Sequence, residues 1–285
     1  MKGIILAGGK GTRLYPMTKS VSKPLLPVYD KPLIYYSVDL LIKAGISEIL
    51  VIVPPYETDS FASLLGDGSE FGIQITYIEQ MVQRGIADAF ILGEEFLNGD
   101  SACMVLGDNI FWSKDLTEKL LAAREMLSGA VILGYYVEDP RPFGVVEFDK
   151  DGNAVSIEEK PQNPKSNYIV PGLYFYNNDV VEISKNLKPS ARGELEISDV
   201  NAEYLRRKDI KVITLSDDLF WADAGNADAL LESSAAIKKL QQDTGKVIGC
   251  IEETAFQKGF ITKEELTAAG EKIKMTQYGQ YLLSL

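Results

Sequence analysis

Lys10, Arg13 and Lys23 stand in and just beyond a glycine-rich turn, Leu6–Ala7–Gly8–Gly9–Lys10–Gly11–Thr12–Arg13, that ends an apolar run. From residue 1 to residue 29 there are five basic residues and no acidic one, in a chain whose formal net charge is -12. Gly8, Gly9 and Gly11 lack the Cβ atoms that hold a backbone away from a ligand, and N–H groups in such a loop can converge on phosphate oxygens. A glycine turn alone reads equally well as a tight connection; the cations beside it favour an anion site. Asp108 follows the run Ala102–Cys103–Met104–Val105–Leu106–Gly107, and Asp223 stands in Trp221–Ala222–Asp223–Ala224–Gly225. Each places a carboxylate at an element end, where an aspartate also reads as the cap of a turn. Glu159 and Lys160 adjoin near the end of a β-pattern. They read as a surface ion pair of little energetic consequence, or as a carboxylate for hydroxyls beside a cation for phosphate. Arg192 lies in a loop ahead of a helix.

Composition removes other chemistries. There are no histidines, which excludes serine-hydrolase triads, histidine metal sites and imidazole acid–base catalysis together. Carboxylates, cations, backbone amides and oxygen-bound metals remain. Cys103 and Cys250 lack metal-ligand spacing, and Cys103 reads as a reduced core residue. A sequence pI near 4.7 argues against nucleic acid. The apolar runs are far shorter than the roughly 20 residues that span a bilayer, and no signal-peptide pattern is visible, so no membrane and a cytoplasmic location are expected. G-G-x-G-T-R is not the G-x-G-x-x-G of a dinucleotide turn, and no P-loop is present.

The elements that must position these groups alternate in type. Apolar runs at 3–7, 48–53, 75–78, 102–106 and 130–137 read as buried strands. Helical spacing covers 33–44, 86–96, 115–127, 196–208 and about 226–240. The first strand, loop, helix and second strand form the crossover unit of a doubly wound sheet. From residue 140 the pattern changes: 143–148 alternates, Asp151–Gly152 marks a hairpin, and 154–161 and 167–176 follow as partners in an inserted antiparallel block. A strand at 211–215, a short strand at 247–251, and helical segments at 258–260 and 262–269 complete the chain. The fold class is α/β: a doubly wound, mostly parallel Rossmann-like sheet, an antiparallel insertion at about 140–200, and a helical C-terminal extension. Residues 1–242 read as the main domain and 243–285 as the extension.

L-A-G-G-x-G-T-R-L, followed by Ser22–Lys23–Pro24–Leu25–Leu26–Pro27, resembles the signature of the sugar-1-phosphate nucleotidylyltransferases. Continued through Val28–Tyr29–Asp30–Lys31–Pro32–Leu33–Ile34–Tyr35–Tyr36, it is similar to that of the bacterial glucose-1-phosphate thymidylyltransferases, and the likeness extends over essentially the whole chain. The resemblance implies a magnesium-dependent enzyme that joins dTTP and glucose 1-phosphate into dTDP-glucose and pyrophosphate, feeding dTDP-deoxysugar (rhamnose-type) synthesis. It implies triphosphate binding at Leu6, Gly8, Gly9, Gly11, Thr12, Arg13 and Lys23, base contacts at Gln80 and Gly85, and Mg2+ at Asp108 and Asp223. It implies a sugar-phosphate pocket of Gly144, Glu159, Lys160, Gly172, Tyr174 and Arg192, with Arg13, Lys23, Asp108 and Lys160 carrying catalysis. A homotetramer, and feedback by a dTDP-deoxysugar at the C-terminal extension, are further implications.

Three departures bear on base and sugar choice. Gln80–Met81–Val82–Gln83–Arg84–Gly85–Ile86–Ala87–Asp88–Ala89 replaces Q-P-S-P-x-G-L-A-Q-A, Pro24 stands where glutamine is common, and W-A-D-A-G replaces W-x-D-T-G. Two alternatives stay open. One is transfer from UTP or to another sugar 1-phosphate; the other is a catalytically silent sugar-nucleotide-binding regulatory subunit, although Arg13, Lys23, Asp108, Lys160 and Asp223 are all present.

Overall fold

The structure, a computed structural model, describes residues 1–9, 11–216 and 218–285; Lys10, expected at the anion site, lies outside the described residues. The apolar first strand, β1 (Lys2–Leu6), is buried along its centre. Three 3-10 turns and a small ribbon, β2 (Pro27–Val28) with β3 (Lys31–Pro32), carry the proline-rich stretch that cannot continue as helix. Then follow α1 (Ile34–Lys43), β4 (Glu48–Val53), α2 (Thr58–Leu65) and β5 (Gln74–Glu79). Here β4 pairs parallel with β1, and β5 parallel with β4. Two short helices, α3 (Asp88–Leu92) and α4 (Glu94–Leu97), lead to β6 (Ala102–Leu106), which pairs parallel with the other edge of β1.

The winding therefore reverses between β1 and β6. Loops leaving the carboxyl ends of two such strands flank the crevice in which open α/β sheets bind ligands. The loop after β1 holds Gly8 to Arg13; the loop after β6 holds Asp108. A hydrogen bond from the Gly107 N–H to the Leu6 carbonyl, 2.9 Å, ties the two loops together.

Beyond the crevice come β7 (Asn109–Trp112), α5 (Leu116–Glu125), β8 (Ala130–Tyr136), β9 (Gly144–Phe148) and β10 (Ala154–Glu159). They are followed by β11 (Tyr168–Ile169), β12 (Leu173–Tyr176), α6 (Val180–Asn186), α7 (Ile197–Arg206) and β13 (Ile210–Thr214). The chain finishes with β14 (Phe220–Asp223), α8 (Ala227–Thr244), α9 (Ile251–Gln257), α10 (Lys263–Lys272) and α11 (Gln277–Ser284). Among the described residues ten strands join one sheet in the order β10-β9-β11-β8-β12-β6-β1-β4-β5, with β13 on β8. In its central part β12 alone runs against its neighbours β6 and β8, while β13 runs parallel to β8. The hairpin of β9 and β10 attaches through β11 to the last residues of β8. This is the expected doubly wound α/β sheet with an antiparallel insertion and a helical C-terminal end.

Alternation along the strands places a core on each face of the sheet. Ile5, Val51, Val105, Val131 and Phe175 face one cluster, and Ile4, Leu50, Met104, Ile132 and Tyr176 face the other. The first cluster also contains Cys250, Ile251, Ala255, Leu266 and Leu282, so the C-terminal helices share the core of the main sheet.

Four local expectations are revised. The 167–176 run is broken at Pro171–Gly172: β11 stays with the insertion, but β12 enters the central sheet, because Leu173–Tyr176 is buried on both faces. Residues 247–251 form no strand: Gly249, at φ +72, turns the chain left-handed and α9 begins at Ile251. Residues 258–260 are the turn after α9, with Gly259 at φ +71, rather than helix. The 86–96 helix is split at Gly93 into α3 and α4.

Candidate active site

Asp108 and Asp223 are brought together by a ribbon of two strands. β14 pairs antiparallel with β7 so that Asp223 stands opposite Asn109, and the Ala224 N–H donates to the Asp108 carbonyl at 3.1 Å. The aromatic, β-prone segments Asn109–Trp112 and Phe220–Asp223 favour such a ribbon. Trp221 locks it by donating Nε1–H to Asn109 Oδ1 at 2.8 Å, and Asn109 Nδ2 donates to Asp108 Oδ1 at 2.8 Å. The buried Lys23 ammonium lies 2.5 Å from Asp108 Oδ2 and 3.7 Å from Asp223 Oδ1. Burial, and then the Asp108 carboxylate, push the Asp223 carboxyl above the usual carboxylate range, while Lys23 and Arg13 pull it back.

Arg13 approaches from the glycine turn. A Cβ on Gly225 would stand 3.3 Å from both terminal nitrogens of Arg13 and 2.9 Å from Asp223 Oδ1, so this glycine leaves room for the two to meet. Gly11 sits at φ +59, a left-handed conformation that favours glycine, and a Cβ there would stand 3.0 Å from Thr18. Around Gly9 no described atom other than those of its chain neighbours lies within 4 Å of where a Cβ would stand. Thr12 is exposed in the following turn, and Leu6 ends β1 beneath it.

One cavity of about 930 Å³ contains much of this chemistry. Arg13, Asp108 and Asp223 line it together with Gly144, Glu159, Lys160, Gly172 and Tyr174. A volume of that size is at the upper end for small-molecule sites and suits two phosphorylated substrates. Lys160 is at φ 44, in the left-handed region, where a non-glycine residue bears strain of order 1 kcal/mol or more. Its N–H donates to the Phe143 carbonyl at 3.0 Å. Its ammonium lies 3.3 Å from Glu159 Oε1. Glu159 also accepts from the Ser198 hydroxyl and from Arg192 at 3.2 Å. A Cβ on Gly144 would stand 3.2 Å from the Ser198 hydroxyl that donates to this carboxylate, and one on Gly172 would strike Leu106 at 2.6 Å.

The remaining residues singled out by sequence sit behind the lining. Arg192 is engaged by Glu196 through two hydrogen bonds, 3.1 and 2.7 Å, as well as by Glu159. It therefore steadies a carboxylate of the pocket from outside the cavity. Gln80 is buried and donates Nε2–H to Asp88 Oδ2 at 3.1 Å, and a Cβ on Gly8 would stand 2.6 Å from Gln80 Oε1. Gln83 donates to the Gly8 carbonyl. Gly85, at φ +105, lets the loop pack on the Leu195 backbone, where the Leu195 N–H donates to the Arg84 carbonyl at 2.6 Å. Arg84, in one of the departing positions, pairs with Asp88 at 2.8 Å. Asn109, Phe143, Ser198, Asn201 and Trp221 also line the cavity. None of them is singled out by sequence as a site residue; the aromatic, β-prone segments around residues 111 and 221 are the signal that could have marked the ribbon.

The donor set suits a hard divalent cation. Asp223 Oδ1 is buried without a hydrogen-bond donor among the described residues, beside the carboxylate of Asp108. Among the described residues no group of three or more acidic, cysteine or histidine side chains could hold a metal by itself. Two carboxylates completed by phosphate and water oxygens are the pattern magnesium takes.

A family model described as nucleotidyl transferase matches residues 2–240. A glucose-1-phosphate thymidylyltransferase from Neisseria gonorrhoeae is 51% identical over 285 residues, covering 100% of this chain and 99% of the relative. One from Mycobacterium tuberculosis (strain ATCC 25618 / H37Rv) is 46% identical, with 100% and 99% covered. A crystal structure from Bacillus anthracis, described as a candidate glucose-1-phosphate thymidylyltransferase in complex with a sucrose, superposes with a TM-score of 0.77 at 43% identity, covering 83% of this chain and 94% of that one. A UDP-glucose pyrophosphorylase complexed with UDP-glucose shares the fold, with a TM-score of 0.74 at 24% identity and coverage of 84% and 98%.

Proposed function

The chain belongs to the nucleotidyl transferase family, and from that premise we propose that it joins dTTP and glucose 1-phosphate into dTDP-glucose and pyrophosphate. The observation that carries this reading is the single cavity holding Arg13, Asp108 and Asp223 together with Gly144, Glu159, Lys160 and Tyr174. A phosphate oxygen of the sugar phosphate attacks the α-phosphorus, and pyrophosphate leaves; no protein nucleophile is needed. Catalysis is then positioning and charge neutralisation between two anions that repel one another.

Gly8, Gly9, Gly11, Thr12 and Arg13 receive the triphosphate and the departing pyrophosphate. Lys23 serves the α-phosphate, Lys160 serves the sugar phosphate, and Glu159 accepts from sugar hydroxyls. Arg192 acts through Glu159, and Gln80 and Gly85 shape the wall on the base side. Asp108 and Asp223 would hold magnesium, which supplies charge neutralisation at the phosphates when bound. Gly172 and Tyr174 complete the sugar side.

The test is pyrophosphate release with glucose 1-phosphate and magnesium, comparing dTTP with UTP at matched concentrations. A strong preference for dTTP supports the reading. Comparable or faster release with UTP favours the second reading, motivated by the Arg84–Asp88 pair beside Gln80, in which base choice is relaxed or moved. No release with any triphosphate would mean a binding subunit without turnover.

A cytoplasmic location and a homotetramer belong to the same reading, as does the division into 1–242 and an oligomerising, regulatory 243–285. No described helix is long and apolar enough to cross a membrane. Light scattering of the purified chain tests the tetramer, and inhibition by a dTDP-deoxysugar tests the feedback.

A further inference from the structure

The cavity contains a polar side chain that no sequence motif marks. Asn201 lies one turn beyond Ser198 on α7, is 1% exposed, and lines the cavity with Ser198 and Tyr174. Its Oδ1 accepts the Tyr176 hydroxyl at 2.5 Å. Tyr176 is itself held on three sides: stacked on Tyr174 at 6.1 Å and on Tyr204 at 5.5 Å, with Phe90 edge-on at 5.3 Å. A hydroxyl fixed by this packing pins the amide oxygen and leaves the amide NH2 for the cavity, where no described protein acceptor takes it.

A nearly buried amide donor with no protein partner is unfavourable unless water or a ligand completes it. The neighbouring Glu159 carboxylate accepts hydrogen bonds, so a donor from Asn201 supplies the complementary half of hydroxyl recognition. Resting on the sugar-phosphate reading above, we propose that Asn201 is a specificity-determining residue whose Nδ2–H donates to one ring hydroxyl of the hexose. A site built to hydrogen-bond a hydroxyl discriminates strongly against the analogue that lacks it.

The experiment pairs protein variants with the 2-, 3-, 4- and 6-deoxy analogues of glucose 1-phosphate at saturating dTTP and magnesium, reading kcat/KM for each. Asn201→Ala removes the donor. Asn201→Asp keeps an acceptor for Tyr176, and with it the fold, while removing the donor toward the cavity. Tyr176→Phe removes only the internal hydrogen bond. The parent is expected to penalise one deoxy analogue at least about tenfold. Both Asn201 variants should lose a similar factor with glucose 1-phosphate, no longer distinguish that analogue, and keep KM for dTTP within about twofold, while Tyr176→Phe, which frees the amide to turn, should weaken the discrimination without abolishing turnover. Equal losses on every analogue in both Asn201 variants, or discrimination fully retained in Tyr176→Phe, would overturn the inference. No turnover by the parent with any sugar 1-phosphate would overturn the transfer reading and this inference together. Parent turnover with discrimination unmoved in the Asn201 variants would overturn the inference alone.

Discussion

Lys23, Asp108 and Asp223 form a compact charge cluster in which one ammonium faces two carboxylates, at 2.5 and 3.7 Å. Replacing Asp108 by Asn keeps the shape and removes half of the anionic donor set. Turnover is expected to fall about 10²–10³-fold even in saturating magnesium, the scale of removing one preorganised electrostatic contact at a reacting centre. Unchanged turnover would refute the metal role of Asp108. A second residue-scale outcome concerns the departing loop. Asp88 is buried at 1% exposure; its Oδ2 accepts from Gln80, while its Oδ1 has no hydrogen-bond donor among the described residues and is only ion-paired, at 2.8 Å, with Arg84, whose own side chain is about half exposed. Because the cation is solvated, Arg84→Ala should cost only about 1 kcal/mol in urea unfolding. In Arg84→Ala/Asp88→Asn most of that loss should return, since no uncompensated carboxylate is left buried. Additive losses would mean that the pair is not coupled.

At the scale of elements, the C-terminal helices are joined to α1 and to each other through acids that are unusual in being buried. Glu252 on α9 accepts the Tyr278 hydroxyl of α11 at 2.5 Å. Burial pushes its carboxyl up, and the Tyr278 hydrogen bond partly offsets this. An acid raised in the fold binds its proton more tightly there than in the unfolded chain. Its contribution is therefore most favourable below the ordinary glutamate range and declines as pH rises through the folded value. Glu252→Gln keeps an acceptor for Tyr278 and has no such decline. Its Tm should match the parent in acid and exceed it by a few degrees at pH 8. A difference that does not vary with pH would remove Glu252 as its source. The crossing from α8 to α9 turns at Gly249, at φ +72, where a Cβ would stand 2.6 Å from the Tyr36 ring, so any other residue would clash.

For the whole molecule, the core on one face of the sheet includes Ile5 and Phe175 from the strands together with Ile251, Ala255 and Leu266 from the C-terminal helices. Ending the chain after residue 244 would strip that cover and expose apolar surface, stabilisation worth about 25 cal/mol per Å² when buried. The truncated protein should aggregate on expression, and the full chain should melt in one calorimetric transition. A soluble, active truncation, or two separated transitions, would show the extension to be an independent unit. The net charge of -12 also matters at this scale: charge beyond about 8 Å is screened at physiological salt, so a group in the cavity meets chiefly the charges that line it.

Strand identity, the glycine turn, the cations beside it and the aspartates at element ends could all be read from the chain, because alternation, turn chemistry and local charge are properties of neighbouring residues. Short apolar runs located β1, β4, β6 and β8, and recurrence at 3.6 residues located α1, α7 and α8, to within a few positions. What required tertiary structure was everything set by register and closure. The β7–β14 ribbon alone puts Asp223 opposite Asn109 and so beside Asp108. The break at Pro171–Gly172 sends β12 into the central sheet and Tyr174 into the cavity. The ion pairs of Arg192 with Glu159 and Glu196 likewise join segments whose meeting the sequence does not give. Asn201 became visible only once Tyr176 was seen to hold its oxygen. Such contacts join residues distant in sequence, and no local periodicity encodes which of them will meet.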